Sequence, residues 1–370
     1  MQTNNKTLYG IRDDAERSLL ILWNFTVIVL SLIGDSIILI ATIKYKAIKL
    51  HKVIITVMQH MAVCDLIQTV FRVFPVTLAI ISDRWILGEL LCHVEENVSW
   101  ACALLTSFLT CAMTTLKLII VKFPLRSGAW STISGHKICA SLWLLALCWY
   151  TPLLVVRIFY IGDTVHFSYI NYSCVYYCLP PSVPSWLTWY LPISVAAFGI
   201  LCYTTLIVTS VLLLIVASKA ASRHGETLRW EGVTTVLLTF GVFFLSYLPF
   251  SVWLVTYLRG VKYSSTSIRV MAYLTNLNVM ANFLVYSLTV RSFRHFLKMK
   301  ITELLSLMIL SIREGRQHYQ RPLALERQRQ KPNPRQNAPE GDDTLTSAAE
   351  LQGSQLEMQQ NFQNIVDTLV

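Results

Sequence analysis

Seven apolar stretches, at residues 19–43, 53–81, 96–121, 138–156, 186–216, 233–258 and 268–290, alternate with shorter polar segments. Each has about the 20 residues that an α-helix needs to cross a hydrocarbon core of about 30 Å. The period-2 alternation of a membrane barrel is missing, so the spans must satisfy their backbone groups as helices. Buried helices of a soluble core are the competing reading, and seven such lengths in one chain argue against it. The pattern predicts an all-α membrane protein, a bundle of seven transmembrane helices.

The flanks divide the chain into a polar N-terminal segment, 1–18, a membrane domain, 19–300, and a tail, 301–370. The tail opens with a mixed stretch, 301–312, and then becomes rich in Gln, Arg, Pro and Glu. That composition cannot bury enough surface to fold alone, so the tail is expected to be largely disordered. The segment 157–185 is the longest between spans, and 218–228 is short.

Composition agrees with the pattern: 54% of residues are hydrophobic and 14% charged, with a mean hydropathy of +0.51, too apolar for a soluble domain. Basic residues set the orientation. With the N-terminus outside, the inner loops and the first residues after span seven hold 14 Lys and Arg, and the outer segments hold 7. This favours an inner C-terminus. Basic inner loops facing anionic lipid account for much of the net charge of +10, so no nucleic-acid partner is needed. The first 18 residues carry no apolar core of a cleavable signal, so span one is expected to act as its own insertion signal. Of four N-x-S/T sequons, Asn24 and Asn97 fall in or beside spans, whereas Asn5 and Asn171 lie outside and are the candidate glycosylation sites.

A set of short motifs occurs in order on these spans. Span one carries Gly34-Asp35, and span two Met61-Ala62-Val63-Cys64-Asp65. Before span three come Trp85, Gly88 and Cys92, and at its inner end the run from Leu116 and Lys117 to Val121, Pro124 and Leu125. Span four has Trp143 and Pro152, span five Cys202-Tyr203, span six Phe243 to Pro249, and span seven Asn278, Asn282, Phe283 and Tyr286, followed by Phe293. Jointly these resemble the rhodopsin-like family of G-protein-coupled receptors over residues 34–293.

The resemblance implies a seven-helix plasma-membrane receptor with a short membrane-surface helix after the seventh span. It implies that an extracellular ligand, possible peptides among them, shifts spans five and six against span three to expose a site for a heterotrimeric G protein, with arrestin as a further partner. Lys117, twenty-five residues after Cys92, stands where the family has arginine, and Tyr203, Arg229 and Tyr286 fall on the family's other switch positions. Leu116 replaces the neighbouring acid and Arg229 the facing one. The resting clamp thus lacks its counter-charges unless Glu226 or Glu231 substitutes, which implies raised basal activity. Lysine also lacks arginine's planar fork, which implies weaker transducer contact. A plain snorkelling lysine, and a non-signalling ligand-binding or decoy receptor of the same fold, are the alternatives.

The family sets Asp35 and Asp65 against each other in the bundle centre, with Asn278 and Asn282 as neutral partners. Two carboxylates in a low-dielectric core repel, so one keeps its proton or a cation, such as sodium, sits between them. A structural hydrogen-bond network is the simpler reading. The family pattern also implies a disulfide from Cys92 to Cys174 or Cys178, with Cys174 preferred.

For the ligand, span seven has no lysine for a retinal Schiff base, and Ser99 stands where amine receptors carry aspartate. Arg72, Glu95, Glu96, Ser99, Tyr247 and Tyr273 are the candidate ligand-binding residues. Arg72 is too deep for a solvated side chain: it either pairs with Glu95 or Glu96, the simpler reading, or meets an acidic ligand group. The chain ends with Asp367-Thr368-Leu369-Val370. Thr368 and Val370 fit a PDZ domain by strand addition. No metal-ligand cluster, nucleophile-base pair or phosphate loop is apparent, so no enzyme is expected. A transporter or channel would need a more polar pore.

Overall fold

In the computed structural model the backbone is described for residues 14–45, 50–123, 127, 130–156, 165–168, 173–176, 185–224, 230–258 and 263–329. Side chains within 152–192, 195, 220–231, 254, 257–258, 265 and beyond 312 are not described. Two units are distinguished, Met1–Thr302 and Glu303–Val370.

The first unit is a helical bundle. Span one is α1 (Asp14–Ile43), and span two joins α2 (Lys52–Gln68) through a wide π turn (Thr69–Val73) to α3 (Phe74–Ser82). Span three is α4 (Gly88–Lys122), span four α5 (Thr132–Val156), span five α6 (Ser185–His224) and span six α7 (Trp230–Leu258). Span seven is broken into α8 (Ser265–Leu274) and α9 (Leu277–Thr289), bent by 40°. Among the described residues, five helices are individually long and apolar enough to cross a membrane, and the bent pair makes a sixth. Span three packs against spans two, four, five and six, while span one lies against two and seven.

Two irregularities have local causes. The π turn precedes Pro75, whose missing N–H and ring disrupt the regular ladder. Span seven bends at Thr275 and Asn276. There Thr275 turns its hydroxyl back on the Ala272 carbonyl at 2.6 Å, a competition with the backbone ladder that bends helices.

Several boundaries differ from the hydropathy reading. Helix α1 starts at Asp14, inside the segment assigned to the polar terminus, because the polar side chains of its first turn find partners. Arg269, 4% exposed on α8, donates to both Glu16 oxygens at 2.9 and 3.2 Å, and Arg17 donates to the carbonyls of Ile80 and Ile81 on α3. Span three begins at Gly88. The outer loop holds a β-hairpin, β1 (Val165–Ser168) against β2 (Ser173–Tyr176), with Phe167 opposite Cys174. Four-residue strands are too short to stand out in an apolar pattern.

The tail assignment needs the largest correction. Helix α10 (Arg291–Arg329) continues well past Lys300 into the stretch read as disordered. Leu and Arg, both good helix formers, are its commonest residues. Within the first unit, Phe293 and Phe296 are buried. Phe293 meets Phe283 edge-on at 6.2 Å, and the Lys300 ammonium lies 4.6 Å from the centre of the Tyr45 ring. In the second unit, Leu304, Leu305, Met308 and Ile309 are exposed.

Candidate functional site

The bundle centre is a polar cluster on spans one, two and seven. Asp35 and Asp65 are both fully buried. The Ser31 hydroxyl donates to Asp35 Oδ2 at 2.7 Å, and Asn282 Nδ2 donates to Asp65 Oδ2 at 2.6 Å. Thr69 joins the two halves: its hydroxyl lies 2.7 Å from Ser31 Oγ and 2.8 Å from the Asp65 carbonyl, and with one proton it donates to one of them at a time. Asp35 Oδ1, Asp65 Oδ1 and Asn278 Nδ2 are buried without a hydrogen-bond partner. Ser31 and Thr69 escape a sequence reading because a hydroxyl in an apolar helix usually bonds its own backbone.

Close approach of span seven to span one frames this cluster. A Cβ placed on Gly34 would lie 2.3 Å from Phe283 Cγ, so only glycine fits beside that ring. Phe283, which occupies the place of the family's proline, therefore seats span seven in a groove on span one.

Outward from the centre, Asn24 and Asn276 meet across spans one and seven at 3.3 Å. Gln68 is fully buried, and neither of its amide atoms has a partner. Arg72 lies within the π turn, half-buried, and donates from Nη2 to Thr275 Oγ1 at 3.0 Å. Among the described residues no carboxylate lies within ion-pair distance of it, so the expected pairing with Glu95 or Glu96 is corrected. Those acids are buried and otherwise engaged: Glu96 accepts from the Trp100 indole at 3.0 Å, and Glu95 is 1% exposed. Rotating Glu96 to Arg72 would break its bond with Trp100.

Tyr247 stacks on Phe243 at 5.0 Å with its hydroxyl buried and unpartnered, and Ser99 is half-buried on span three. Tyr273 does not share that place. It packs with Val76 and Ile80 between spans one, two and seven, and its carbonyl accepts from Trp23 Nε1 at 3.3 Å. The kink of span seven turns it there. The sequon residue Asn97 is likewise inside the bundle, bonded to the Tyr150 hydroxyl.

At the outer end of span three the Trp85 indole donates to the Gly88 carbonyl at 2.7 Å, and Gly88 has φ +79°, a conformation that favours glycine. Cys92, one turn into α4, is disulfide-bonded. Its partner lies outside the residues whose side chains are described, as do both candidates, Cys174 and Cys178. The strand that carries Cys174 lies against span three.

At the inner end, Lys117 is half-buried and has an interaction partner, while Leu116 is buried in the main core. Tyr286 is buried, and its hydroxyl points to Met61 Sδ at 3.9 Å. Tyr203 is not at this gate. Its neighbour Cys202 accepts from Cys111, six residues outward of Lys117, which separates the levels by about 9 Å at helical rise. Tyr203 instead packs on Phe243 and Phe244, with its hydroxyl 3.5 Å from Ser251. Nearer the gate on span five are Thr209, which bonds Thr114 at 3.2 Å, and Leu213 and Ala217, in the cluster against which Leu118 packs. Arg229, Glu226, Asn5, Asn171, Thr368 and Val370 lie outside the described residues, as does the Glu231 side chain.

The sequence model described as "7 transmembrane receptor (rhodopsin family)" matches residues 34–286. Among curated proteins the chain is similar to an annetocin receptor of Eisenia fetida, 23% identical over 205 residues, 54% of this chain and 46% of that one. It is also similar to proteinase-activated receptor 2 of Mus musculus, 21% identical over 226 residues, covering 59% of this chain and 54% of the relative. The chain thus spans about half the length of the curated relatives it matches.

Proposed function

Because the chain belongs to the rhodopsin family of seven-transmembrane receptors, a family of receptors rather than enzymes, we propose that it carries an extracellular ligand signal to a heterotrimeric G protein. The observation that carries this reading is the central cluster. Asp65 and Asn282 tie span two to span seven in the middle of the bundle, and Lys117 lies near the other end of span three from Cys92. A ligand that draws the outer ends together changes the packing of this link, and the inner ends follow.

The receptor is a multi-pass membrane protein; its plasma-membrane site and outer N-terminus belong to the proposal and rest on the excess of basic residues in inner loops. A peptide is the proposed ligand class. Ser99 offers no ion pair to an amine, and Arg72 on span two offers a positive charge to an acidic group of a peptide. Arrestin is the proposed second cytoplasmic partner. For the disulfide, Cys174 is the proposed partner of Cys92, supported by the contact of its strand with span three.

A sodium ion fits the central residues. The unpartnered oxygens of Asp35 and Asp65 are hard donors, and Ser31 and Thr69 add hydroxyl oxygens. When bound, a cation supplies the positive charge that two buried carboxylates lack.

Expression in cells with a panel of G-protein sensors, with and without a fractionated peptide extract, tests the proposal. Ligand-dependent signal in any G-protein class supports it. The replacement of the acid before Lys117 by a buried leucine favours a non-signalling receptor as the second reading. Ligand uptake or internalisation with every G-protein sensor silent would select it.

A further inference from the structure

Spans two and four approach each other closely toward their inner ends: a Cβ placed on Gly135 would lie 2.9 Å from both Cβ and Oγ1 of Thr56. The next residue and the next turn bring two histidines together. His60 Nε2 lies 3.2 Å from His136 Nδ1, with ring centres 5.4 Å apart, and Trp143 Nε1 lies 3.2 Å from His60 Nδ1. His60 is partly buried, and His136 is exposed to whatever lies beside this end of the bundle.

The direction of these bonds is fixed by chemistry. An indole nitrogen only donates, so His60 Nδ1 accepts from Trp143 and the proton of His60 sits on Nε2. That proton goes to His136 Nδ1, and the proton of His136 sits on its own Nε2. Two neutral rings thus supply one acceptor to each of two contacts. An added proton leaves a single acceptor for both, whichever ring takes it, and one bond is lost. Trp143 forbids a compromise, because without it His60 would move its proton to Nδ1 and accept from a charged His136 through Nε2.

We propose that His60, His136 and Trp143 form a proton-operated latch, which holds spans two and four together when both rings are neutral and opens when the water at that end turns acidic. The contribution to stability is present at the alkaline side of the range in which imidazoles take up a proton and is lost as the pH falls through it. From span four, His136 is the titratable group that bears on His60. Lys137 and Cys139 of the same span, Lys117 and Lys122 of span three, Lys44 of span one and Tyr286 of span seven make no bond to either ring, nor do Lys52 and Asp65 of span two itself. The latch has a route to the neighbouring loop. His51, at the start of span two, donates from Nε2 to the Ser127 carbonyl at 2.9 Å, which ties the segment between spans three and four to the helix that carries His60.

The test reads thermal unfolding of the full-length protein in nanodiscs of neutral lipid, at constant ionic strength, at about pH 8 and about pH 6. His136→Asn puts an amide oxygen at the place of Nδ1, so it keeps the acceptor and takes up no proton. On acidification the wild type is expected to lose about 2–4 °C more than His136→Asn. Trp143→Phe removes the donor that blocks the compromise, and its acid loss is expected to match that of His136→Asn. Groups common to all three proteins, His51 among them, cancel in the comparison. Equal acid losses in the wild type and His136→Asn would overturn the latch, as would an acid loss in Trp143→Phe as large as that of the wild type. Where Trp143→Phe does not fold, the comparison with His136→Asn decides alone. Unfolding rather than signalling is read, so a protein that couples to no G protein leaves the result standing.

Discussion

The backbone of Gly34 on span one lies against the ring of Phe283 on span seven so closely that a single methyl group would come within 2.3 Å of Cγ. This contact sets the distance between the two helices that hold Asp35 and Asn282. Gly34→Ala is therefore expected to lower stability by about 1–3 kcal/mol through overpacking. Thermal unfolding of the purified receptor measures the loss, and Phe283→Ala in the same chain is expected to recover part of it. Equal melting of Gly34→Ala and the wild type would show that the helices separate freely.

The outer ends of spans one and seven are clamped by the two-pronged bond of Arg269 to Glu16. Arg269 is nearly inaccessible and Glu16 is partly exposed. Glu16→Gln keeps the shape and removes the charge, with an expected loss of about 1–3 kcal/mol. Surface expression and unfolding temperature should fall together. A melting curve that does not move with Glu16→Gln would place the worth of the pair at that of a solvated surface bridge.

Sodium sensitivity follows from the two open carboxylate oxygens of the centre. Replacing choline by sodium at equal ionic strength is expected to raise the melting temperature of the wild type by linkage. Asp65→Asn, which keeps the volume and loses the charge, is expected to abolish that difference. Persistence of the sodium effect in Asp65→Asn would remove Asp65 from the cation site.

At the inner gate, Leu116 precedes Lys117 in sequence in place of the acid that the family carries, and ligand-free signalling above that of mock-transfected cells is the expected outcome. Lys117→Arg restores a planar fork and should strengthen transducer contact, and Lys117→Ala should reduce the signal about tenfold or more. Silence of both wild type and Lys117→Arg across all sensors counts against a switch role for this residue.

Tyr203 offers a contrast with Lys117. Because it packs against Phe243, Phe244 and Ser251, well outward of the gate, Tyr203→Phe is expected to leave ligand-free signalling within about twofold of wild type. A loss as large as that of Lys117→Ala would mean that the tyrosine swings inward in the active state.

The family motif that reads most clearly along the chain, Trp85 with Gly88 and Cys92, is legible because its parts are local. An indole reaches a carbonyl three residues on, at a glycine with positive φ. Glu16 and Arg17 looked like a solvated terminus because their partners are 253 and 63 residues away. The same holds for Ser31 and Thr69, which are unremarkable hydroxyls in sequence and become the bridge between Asp35 and Asp65 only when spans one and two meet.

Hydropathy determined by itself that this chain lies in a membrane as a bundle of helices, because a bilayer admits few ways to satisfy a backbone. Charge asymmetry supports the proposed orientation for the same kind of reason, a local cost summed along the chain. What only the tertiary structure decided is which polar side chains meet: that Arg72 faces Thr275 rather than Glu95 or Glu96, and that Tyr203 stands above the gate. Helix rotation, the π turn and the bend at Thr275 fix those meetings, and each depends on packing between distant segments that no local pattern encodes.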